Sequence, residues 1–172
     1  RISTILDLAV SPDFTRDTRL FLLTADIQNS LWYSSDGGYY WQRIFFTAPA
    51  HTNRINLVLL SPEYRENGEV LLAGTSGGIP VIWKSEDNGR SFSQYASVDP
   101  DTGDPVNIDT WILGPGNVLF VGSFDGNHGM VYQTGPDSLA YVDKGVTASQ
   151  IINSISFSPD YINDHTILAG NT

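Results

Sequence analysis

The chain has 172 residues, of which 41% are apolar, and its 19 acidic and 9 basic side chains give a formal net charge of −10. That apolar content supports a packed core and excludes wholesale disorder. The shortage of Lys and Arg argues against nucleic acid and anionic membrane surfaces as partners. Because cysteine is absent, thiol catalysis, thiolate metal sites and disulfides are also excluded.

A Ser-Pro-acidic-aromatic segment recurs along the chain. Ser11-Pro12-Asp13-Phe14 returns as Ser61-Pro62-Glu63-Tyr64 after 50 residues, and as Ser158-Pro159-Asp160-Tyr161 after a further 97. Aliphatic segments recur with the same period, and three of them end in glycine, at Gly74, Gly122 and Gly170. The repeat is therefore 48 to 50 residues long, a period typical of repeat architectures such as propellers.

Each repeat contains short runs rich in Val, Ile, Leu and aromatic residues, and Gly, Pro, Asp and Asn separate them. No amphipathic helix is expected. In chain order the predicted strands are Ile5–Val10, Leu20–Thr24, Leu31–Tyr33, Trp41–Phe46, Ile55–Leu60, Val70–Gly74, Val81–Lys84, Phe92–Tyr95, Thr110–Leu113, Val118–Gly122, Met130–Gln133, Ala140–Val142, Ile152–Phe157 and Ile167–Ala169.

Four antiparallel strands in each repeat are typical of a β-propeller blade. The sequence therefore predicts an all-β fold, namely a β-propeller fragment with about 3.5 four-stranded antiparallel blades of 48 to 50 residues. We expect one partial propeller domain over residues 1–172. Its blades would lie at about 1–48, 49–100 and 101–147, followed by a half blade at about 148–172.

A second motif lies between the third and fourth strands of the first two repeats. Residues 34–41 fit S-x-D-x-G-x-x-W, and residues 85–92 fit the same pattern with Phe last. This motif resembles the Asp-box, or bacterial neuraminidase repeat (BNR), of sialidase-like, sortilin-like and xyloglucanase-like propellers. The Ser-Pro-Asp-aromatic opening resembles the WD40/YVTN/BNR-like secreted proteins. The resemblance covers nearly the whole chain at repeat level and implies a secreted or cell-surface protein of a bacterial or archaeal envelope.

We expect both motifs to stabilise turns rather than to perform chemistry. In the Asp-box, the carboxylate can accept hydrogen bonds from the turn, Gly supplies a special backbone angle, and the aromatic ring packs beside a neighbouring strand or blade. In the Ser-Pro turns, Asp would cap the turn and the aromatic side chain would pack inward. The structural Asp-box residues are Ser34, Asp36, Gly38, Trp41, Ser85, Asp87, Gly89 and Phe92.

Binding residues concentrate on loops that a rigid scaffold positions. In a four-stranded meander, the first-to-second and third-to-fourth loops share one face, and the second-to-third loops and blade links share the other. We expect ligands on the second of these faces, which lacks the Asp-box turns. The candidate binding residues there are Asp26, Gln28, Asn29, His51, Asn53, Asp125, Asn127 and His128.

The link after the second repeat is rich in aspartate. Asp99, Asp101 and Asp104 alternate with Pro, Thr and Gly, and together with backbone carbonyls they offer the oxygen ligands that Ca²⁺ prefers. The spacing does not match an EF-hand loop. A solvated acidic loop is the alternative, and no other cofactor is expected.

A glycoside hydrolase of the xyloglucanase type is the enzymatic alternative. Thr24-Ala25-Asp26-Ile27 resembles the catalytic-aspartate loop of that family, and the resemblance makes Asp26 a catalytic candidate. The family's glycines are replaced here by Gln28 and Asn29. Hydrolysis needs two carboxylates that flank the glycosidic bond, and no partner for Asp26 can be named.

Three and a half blades leave open sheet edges, which invite pairing. The rest of a longer propeller could cover them, a second copy could close a seven-bladed ring, or the chain could form an open arc.

The interpretation that we favour is a non-catalytic binding or scaffold module that contacts protein or glycan through a loop face. The other alternative is a polypeptide-binding propeller resembling sortilin or the photosystem assembly propellers.

Overall fold

A computed structural model describes residues 4–47, 53–135 and 138–171 of the chain. Three single-turn helices and a 3₁₀ turn at Pro115–Asn117 interrupt a series of strands. The strands are β1 (Thr4–Val10), β2 (Leu20–Ala25), β3 (Asn29–Ser34), β4 (Gln42–Phe46), β5 (Asn53–Leu60), β6 (Val70–Ser76), β7 (Ile79–Ser85), β8 (Ser93–Ala96), β9 (Thr110–Leu113), β10 (Leu119–Phe124), β11 (Gly129–Gly135), β12 (Ser138–Ala148), β13 (Ile152–Phe157) and β14 (Ile167–Asn171). The helices are α1 (Phe14–Asp17), α2 (Tyr64–Asn67) and α3 (Tyr161–Asp164).

The described strands form four antiparallel sheets in which sequence neighbours are paired. Their orders are β1-β2-β3-β4, β5-β6-β7-β8, β9-β10-β11-β12 and β13-β14. This meander of three four-stranded blades and one two-stranded half blade confirms the predicted β-propeller fragment. The chain divides into two compact units, one ending at Ala96 and the other beginning at Ser97. The first unit holds two blades, and the second holds one blade and the half blade.

The first strand of three of these sheets contains a β-bulge at corresponding positions. The register shifts between Ile5 and Asp7 in β1, between Ile55 and Leu57 in β5, and between Ile152 and Ser154 in β13. In the first unit the bulge positions a polar contact between blades. The Asp7 carboxylate accepts a hydrogen bond of 2.8 Å from the N–H of Val58, and this bond joins β1 to β5.

An aromatic side chain from each of two Ser-Pro segments packs between a blade and the one before it. Tyr64 is fully buried, and its ring meets that of Phe21 of β2 edge-on at 5.7 Å. In the second unit, Tyr161 meets Phe120 of β10 edge-on at 6.3 Å and Phe157 at 4.5 Å. The same repeat position therefore stabilises blade-to-blade packing in both units. The prediction of inward packing is confirmed for Tyr64, whereas Tyr161 is partly exposed.

The Ser-Pro segments differ from the expectation in one respect. Each leads into a helical turn whose preceding Asp13, Glu63 or Asp160 makes no side-chain capping bond, so the expected capping role of the acidic residue is wrong. The hydroxyl of each serine accepts a hydrogen bond from the backbone N–H two residues later. It also forms a hydrogen bond with the side chain six residues later. The side-chain oxygen of this Asp or Asn also accepts a hydrogen bond from the backbone N–H two residues beyond it. The pairs are Ser11 with Asp17, Ser61 with Asn67, and Ser158 with Asp164.

One side of the first blade remains apolar and open. Leu6, Leu8 and Val10 alternate along β1 and are 38%, 51% and 49% exposed. The described sheets have four strands in the first three cases and two in the last, and closure of a seven-bladed ring by a second copy stays a prediction. Within the described residues, no helix is long and apolar enough to cross a membrane.

Candidate functional site

The loops of the first unit separate onto two ends of the blades, as predicted. At one end the first-to-second and third-to-fourth loops touch, because the Gly37 N–H donates to the Thr18 carbonyl and the Asn88 N–H donates to the Gly68 carbonyl, both at 3.0 Å. At the other end lie the hairpins after β2 and β6, beside the starts of β1 and β5. We call this second end the hairpin face of the first unit.

The Ser34–Trp41 turn uses its carboxylate to hold its own backbone. The Ser34 hydroxyl donates to the Asp36 carboxylate at 2.8 Å and accepts the Gly38 N–H at 2.9 Å. The Tyr40 N–H donates to the same carboxylate oxygen at 3.0 Å. The Trp41 indole N–H donates to the Gly38 carbonyl at 2.9 Å, which closes the turn.

The Ser85–Phe92 turn repeats this arrangement with additional bonds. The Asp87 carboxylate accepts the Ser85 hydroxyl at 2.8 Å, the Ser91 hydroxyl at 2.6 Å, and the N–H groups of Arg90 and Ser91 at 2.9 Å. The bonds from Ser91, followed by the one from Ser85, hold the pKa of Asp87 well below its usual range. The Phe92 ring packs against Phe45 at 4.8 Å. In both turns, therefore, the Asp carboxylate has a structural role, because it holds the backbone of the turn in place.

We expect Asp87→Asn to lower the urea midpoint of unfolding at pH 7, because an amide nitrogen in place of Oδ2 cannot accept the bond from the Ser91 hydroxyl. The folded-state pKa lies below the unfolded value of about 3.9, so the stabilisation is present above pH 4 and is lost as the pH falls through the folded-state pKa. The difference between the midpoints of wild type and variant should therefore shrink steadily as the pH falls below 4. Asp101→Asn, in an exposed loop, is the control. Equal pH profiles for wild type and Asp87→Asn would contradict this role.

The predicted binding residues of the first unit have different environments. Asp26 and Gln28 lie in the hairpin after β2, where the Asp26 side chain is exposed and the Asp26 N–H donates to the Gln28 carbonyl. Asn29 is a structural residue, because its side-chain oxygen accepts the Ile55 N–H at 3.2 Å and so links β3 to β5. Asn53 begins β5 opposite Ser76. His51 lies outside the described residues. The catalytic role suggested for Asp26 stays a prediction.

Three isoleucines on the hairpin face were missed by the sequence analysis. Ile27, in the hairpin after β2, is 65% exposed, and Ile79, which follows the turn after β6, is 52% exposed. Ile5, at the start of β1, is 66% exposed. We call these three the hairpin-face isoleucines. In the sequence, Ile27 and Ile79 lie within or directly after a polar turn and Ile5 begins a predicted strand, and none of these positions by itself shows exposure.

The candidate residues of the second unit form one tight turn. The Asp125 carboxylate accepts the N–H groups of Asn127 and His128, both at 2.6 Å. These bonds, with that of His128 first, lower the pKa of Asp125. The His128 ring nitrogen lies 3.6 Å from the same carboxylate. The side chain of Asp125 therefore stabilises this exposed hairpin.

The aspartate-rich loop is also organised by its own backbone. The Asp99 carboxylate accepts the N–H groups of Asp101 and Thr102 at 2.8 and 3.0 Å, and these bonds, with that of Thr102 first, lower the pKa of Asp99. Asp101 and Asp104 are exposed. Among the residues that the structure describes, no group of three or more His, Asp or Glu side chains comes together as a metal site. The described residues of this loop therefore form no assembled set of calcium ligands, and calcium binding stays a prediction.

Among the described carboxylic acids, Asp109 differs from those in turns. Desolvation of its carboxyl group raises its pKa, although a hydrogen bond from the backbone of Phe124 partly opposes the effect and the residue as a whole is exposed. It directly precedes β9, and its N–H donates to the Gly122 carbonyl at 3.0 Å. The sequence analysis did not single out Asp109, because nothing in its sequence context shows that its carboxyl group is desolvated.

The comparisons with known proteins bear on the fold. No family model matches the sequence, and no curated protein matches it. A solved structure of YCF48 bound to D1 peptide matches with a TM-score of 0.57 and 16% identity, over 92% of this chain and 44% of that one. YCF48 from Cyanidioschyzon merolae matches with a TM-score of 0.49 and 16% identity, over 90% of this chain and 60% of that one. The chain thus spans about half the length of these structures. The likeness to the first of these structures supports the β-propeller fold.

Proposed function

We propose that this chain is a polypeptide-binding module and that its ligand contacts the hairpin-face isoleucines. The observation that carries the proposal is the exposure of Ile27 and Ile79, at 65% and 52%, on neighbouring hairpins of one rigid scaffold. The Asn29–Ile55 hydrogen bond ties the two blades together directly beside these hairpins. Exposed apolar groups set among polar ones at one end of a scaffold are typical of protein-binding surfaces.

A polypeptide fits this surface better than an ion or a charged small molecule. The isoleucines offer apolar contact, while Asp26 and Gln28 beside Ile27 offer polar groups to a peptide backbone. The YCF48 structure with a TM-score of 0.57 is described as bound to D1 peptide, and this supports peptide binding as a use of the fold. Fold alone does not specify function, so the surface residues are the basis of the test.

The test is selection of a random 12-residue peptide display library against the purified chain, followed by calorimetry with the enriched peptides. We expect micromolar peptides and at least a tenfold loss of affinity for the double variant Ile27→Glu/Ile79→Glu, because burying one isoleucine contributes about 1.5–3 kcal/mol. Ile162→Glu is the control, since Ile162 is 72% exposed but belongs to α3 in the second unit. Failure to enrich any peptide, or equal binding by the double variant, would count against the proposal.

A further inference from the structure

A polar pocket lies on the second blade at the side of the Ser85–Phe92 turn. It encloses about 180 Å³, less than the 300–1,000 Å³ of sites for drug-sized ligands, so it suits a single small ring. Strands β7 and β8 and the turn between them supply its walls. Its lining residues are Lys84, Glu86, Asp87, Ser91, Ser93 and Tyr95.

The β-sheet register explains why these side chains converge. Lys84 pairs with Ser93 across β7 and β8, so the two side chains lie on the same side of the sheet. Tyr95 is two residues after Ser93 and therefore points to that side as well. Its side chain is not buried, because the residue is 43% exposed. An aromatic ring thus stands beside an ammonium group and a hydroxyl.

The pocket presents hydrogen-bond donors and acceptors together. The Lys84 ammonium lies 3.2 Å from the Glu69 carboxylate and 2.9 Å from that of Glu86. Burial opposes its charge, but the bond to Glu86 and the charge of Glu69 outweigh that effect and raise the pKa of Lys84. It therefore stays protonated, and with three N–H donors it has one to spare. Glu86 remains exposed and can accept from a ligand.

These charges select against ionic ligands. An anion would meet Glu86 and Asp87, and a cation would have to compete with the Lys84 ammonium, which is already paired with Glu86 at 2.9 Å. A neutral ligand with several hydroxyl groups can donate to Glu86 and accept from Lys84 without either conflict. The Tyr95 ring supplies an apolar surface for the C–H face of such a ring. We propose that this pocket binds a neutral sugar residue of a glycan, at a site separate from the hairpin face.

The test is an NMR titration of the ¹⁵N-labelled chain with methyl α-D-mannopyranoside, methyl β-D-glucopyranoside and methyl β-D-galactopyranoside. We expect at least one to give saturable shifts for Ser91, Ser93 and Tyr95, with a dissociation constant on the order of 1–10 mM. Tyr95→Ala should weaken that binding at least tenfold. Ser93→Val, which fills the pocket and favours the strand, should do the same. Tyr39→Ala is the matched control, because Tyr39 is 94% exposed in the corresponding turn of the first blade.

Three outcomes would overturn the proposal. They are the absence of saturable shifts, unchanged binding by both Tyr95→Ala and Ser93→Val, and saturable binding of Nα-acetyl-lysine amide in place of the sugars, which would make the pocket a cation site. The proposal is independent of the peptide-binding one. Tyr95→Ala should leave peptide affinity unchanged, and Ile27→Glu/Ile79→Glu should leave sugar affinity unchanged.

Discussion

Replacing Gly74 with alanine is expected to lower the free energy of unfolding by about 3 kcal/mol or more, beyond the usual cost of overpacking. A Cβ added at this position would collide with the carbonyl oxygen of Arg54 and would lie 2.9 Å from the Cα of Ile55. Those atoms belong to the backbone of β5 beside its bulge, and β6 is paired on its other side with β7. Neither strand can move away without breaking its hydrogen bonds.

The prediction for Gly74→Ala is checked by urea unfolding followed by circular dichroism. Gly135→Ala is the matched control, because an added Cβ meets nothing within 4 Å there and the position is also in a strand. The control should be neutral or slightly stabilising. If the two variants had equal stability, the close approach of β5 to β6 at Gly74 would be wrong.

The repeat identified Gly74, but it did not reveal which atoms require a glycine there. Gly122 and Gly170 occupy the corresponding position, yet a Cβ at these residues would first meet side chains, those of Thr110 and Ser154. The first blade has Thr24 instead, whose hydroxyl accepts the Trp32 indole N–H at 3.0 Å. A periodic sequence predicts equivalent positions. The distances between strands depend on the local bulge and side chains.

The positions of strands could be predicted wherever turn-forming residues flank an apolar run. Thr110–Leu113 and Ile152–Phe157 have the predicted bounds. The predicted strand Ala140–Val142 was too short, because β12 continues to Ala148 through a bulge. In that bulge Gly145 has a positive φ of 67° and its N–H donates to the Asp143 carboxylate. A glycine two residues after an aspartate indicates a turn in the sequence, although the strand resumes after it.

The single-turn helices were not predictable from hydrophobic periodicity, because four residues contain barely one turn. A local signal was nevertheless present. Asp or Asn follows the serine by six residues in all three copies, at Asp17, Asn67 and Asp164.

The hairpin-face isoleucines raise the opposite difficulty. Their residue type suggests core, and only the placement of the hairpins shows that they are exposed.

Tyr64 offers the second large effect, and two substitutions there should change stability in opposite directions. Its side chain is fully buried between the first two blades, against Phe21 and beneath the Arg19 guanidinium at 5.7 Å. Burial, partly opposed by Arg19, raises the pKa of Tyr64 to about 12. Its hydroxyl makes no hydrogen bond of ordinary geometry among the described residues, although Arg19 lies near enough to lower its pKa. The ring therefore stabilises the interface, while the hydroxyl carries a cost of desolvation that Arg19 offsets only in part.

We expect Tyr64→Ala to lower the free energy of unfolding by about 3–5 kcal/mol, because it leaves a large cavity between the blades. Tyr64→Phe keeps the ring and removes the unpaired hydroxyl, so it should raise that free energy by about 1 kcal/mol. Urea denaturation measures both, with Tyr39→Ala, at a 94% exposed position, as the near-neutral control. If Tyr64→Phe lowered the free energy of unfolding, the Tyr64 hydroxyl would have a hydrogen-bond partner. A mild Tyr64→Ala would mean that the blades do not depend on this ring, and the aromatic of the Ser-Pro motif would then lose its role in joining consecutive repeats.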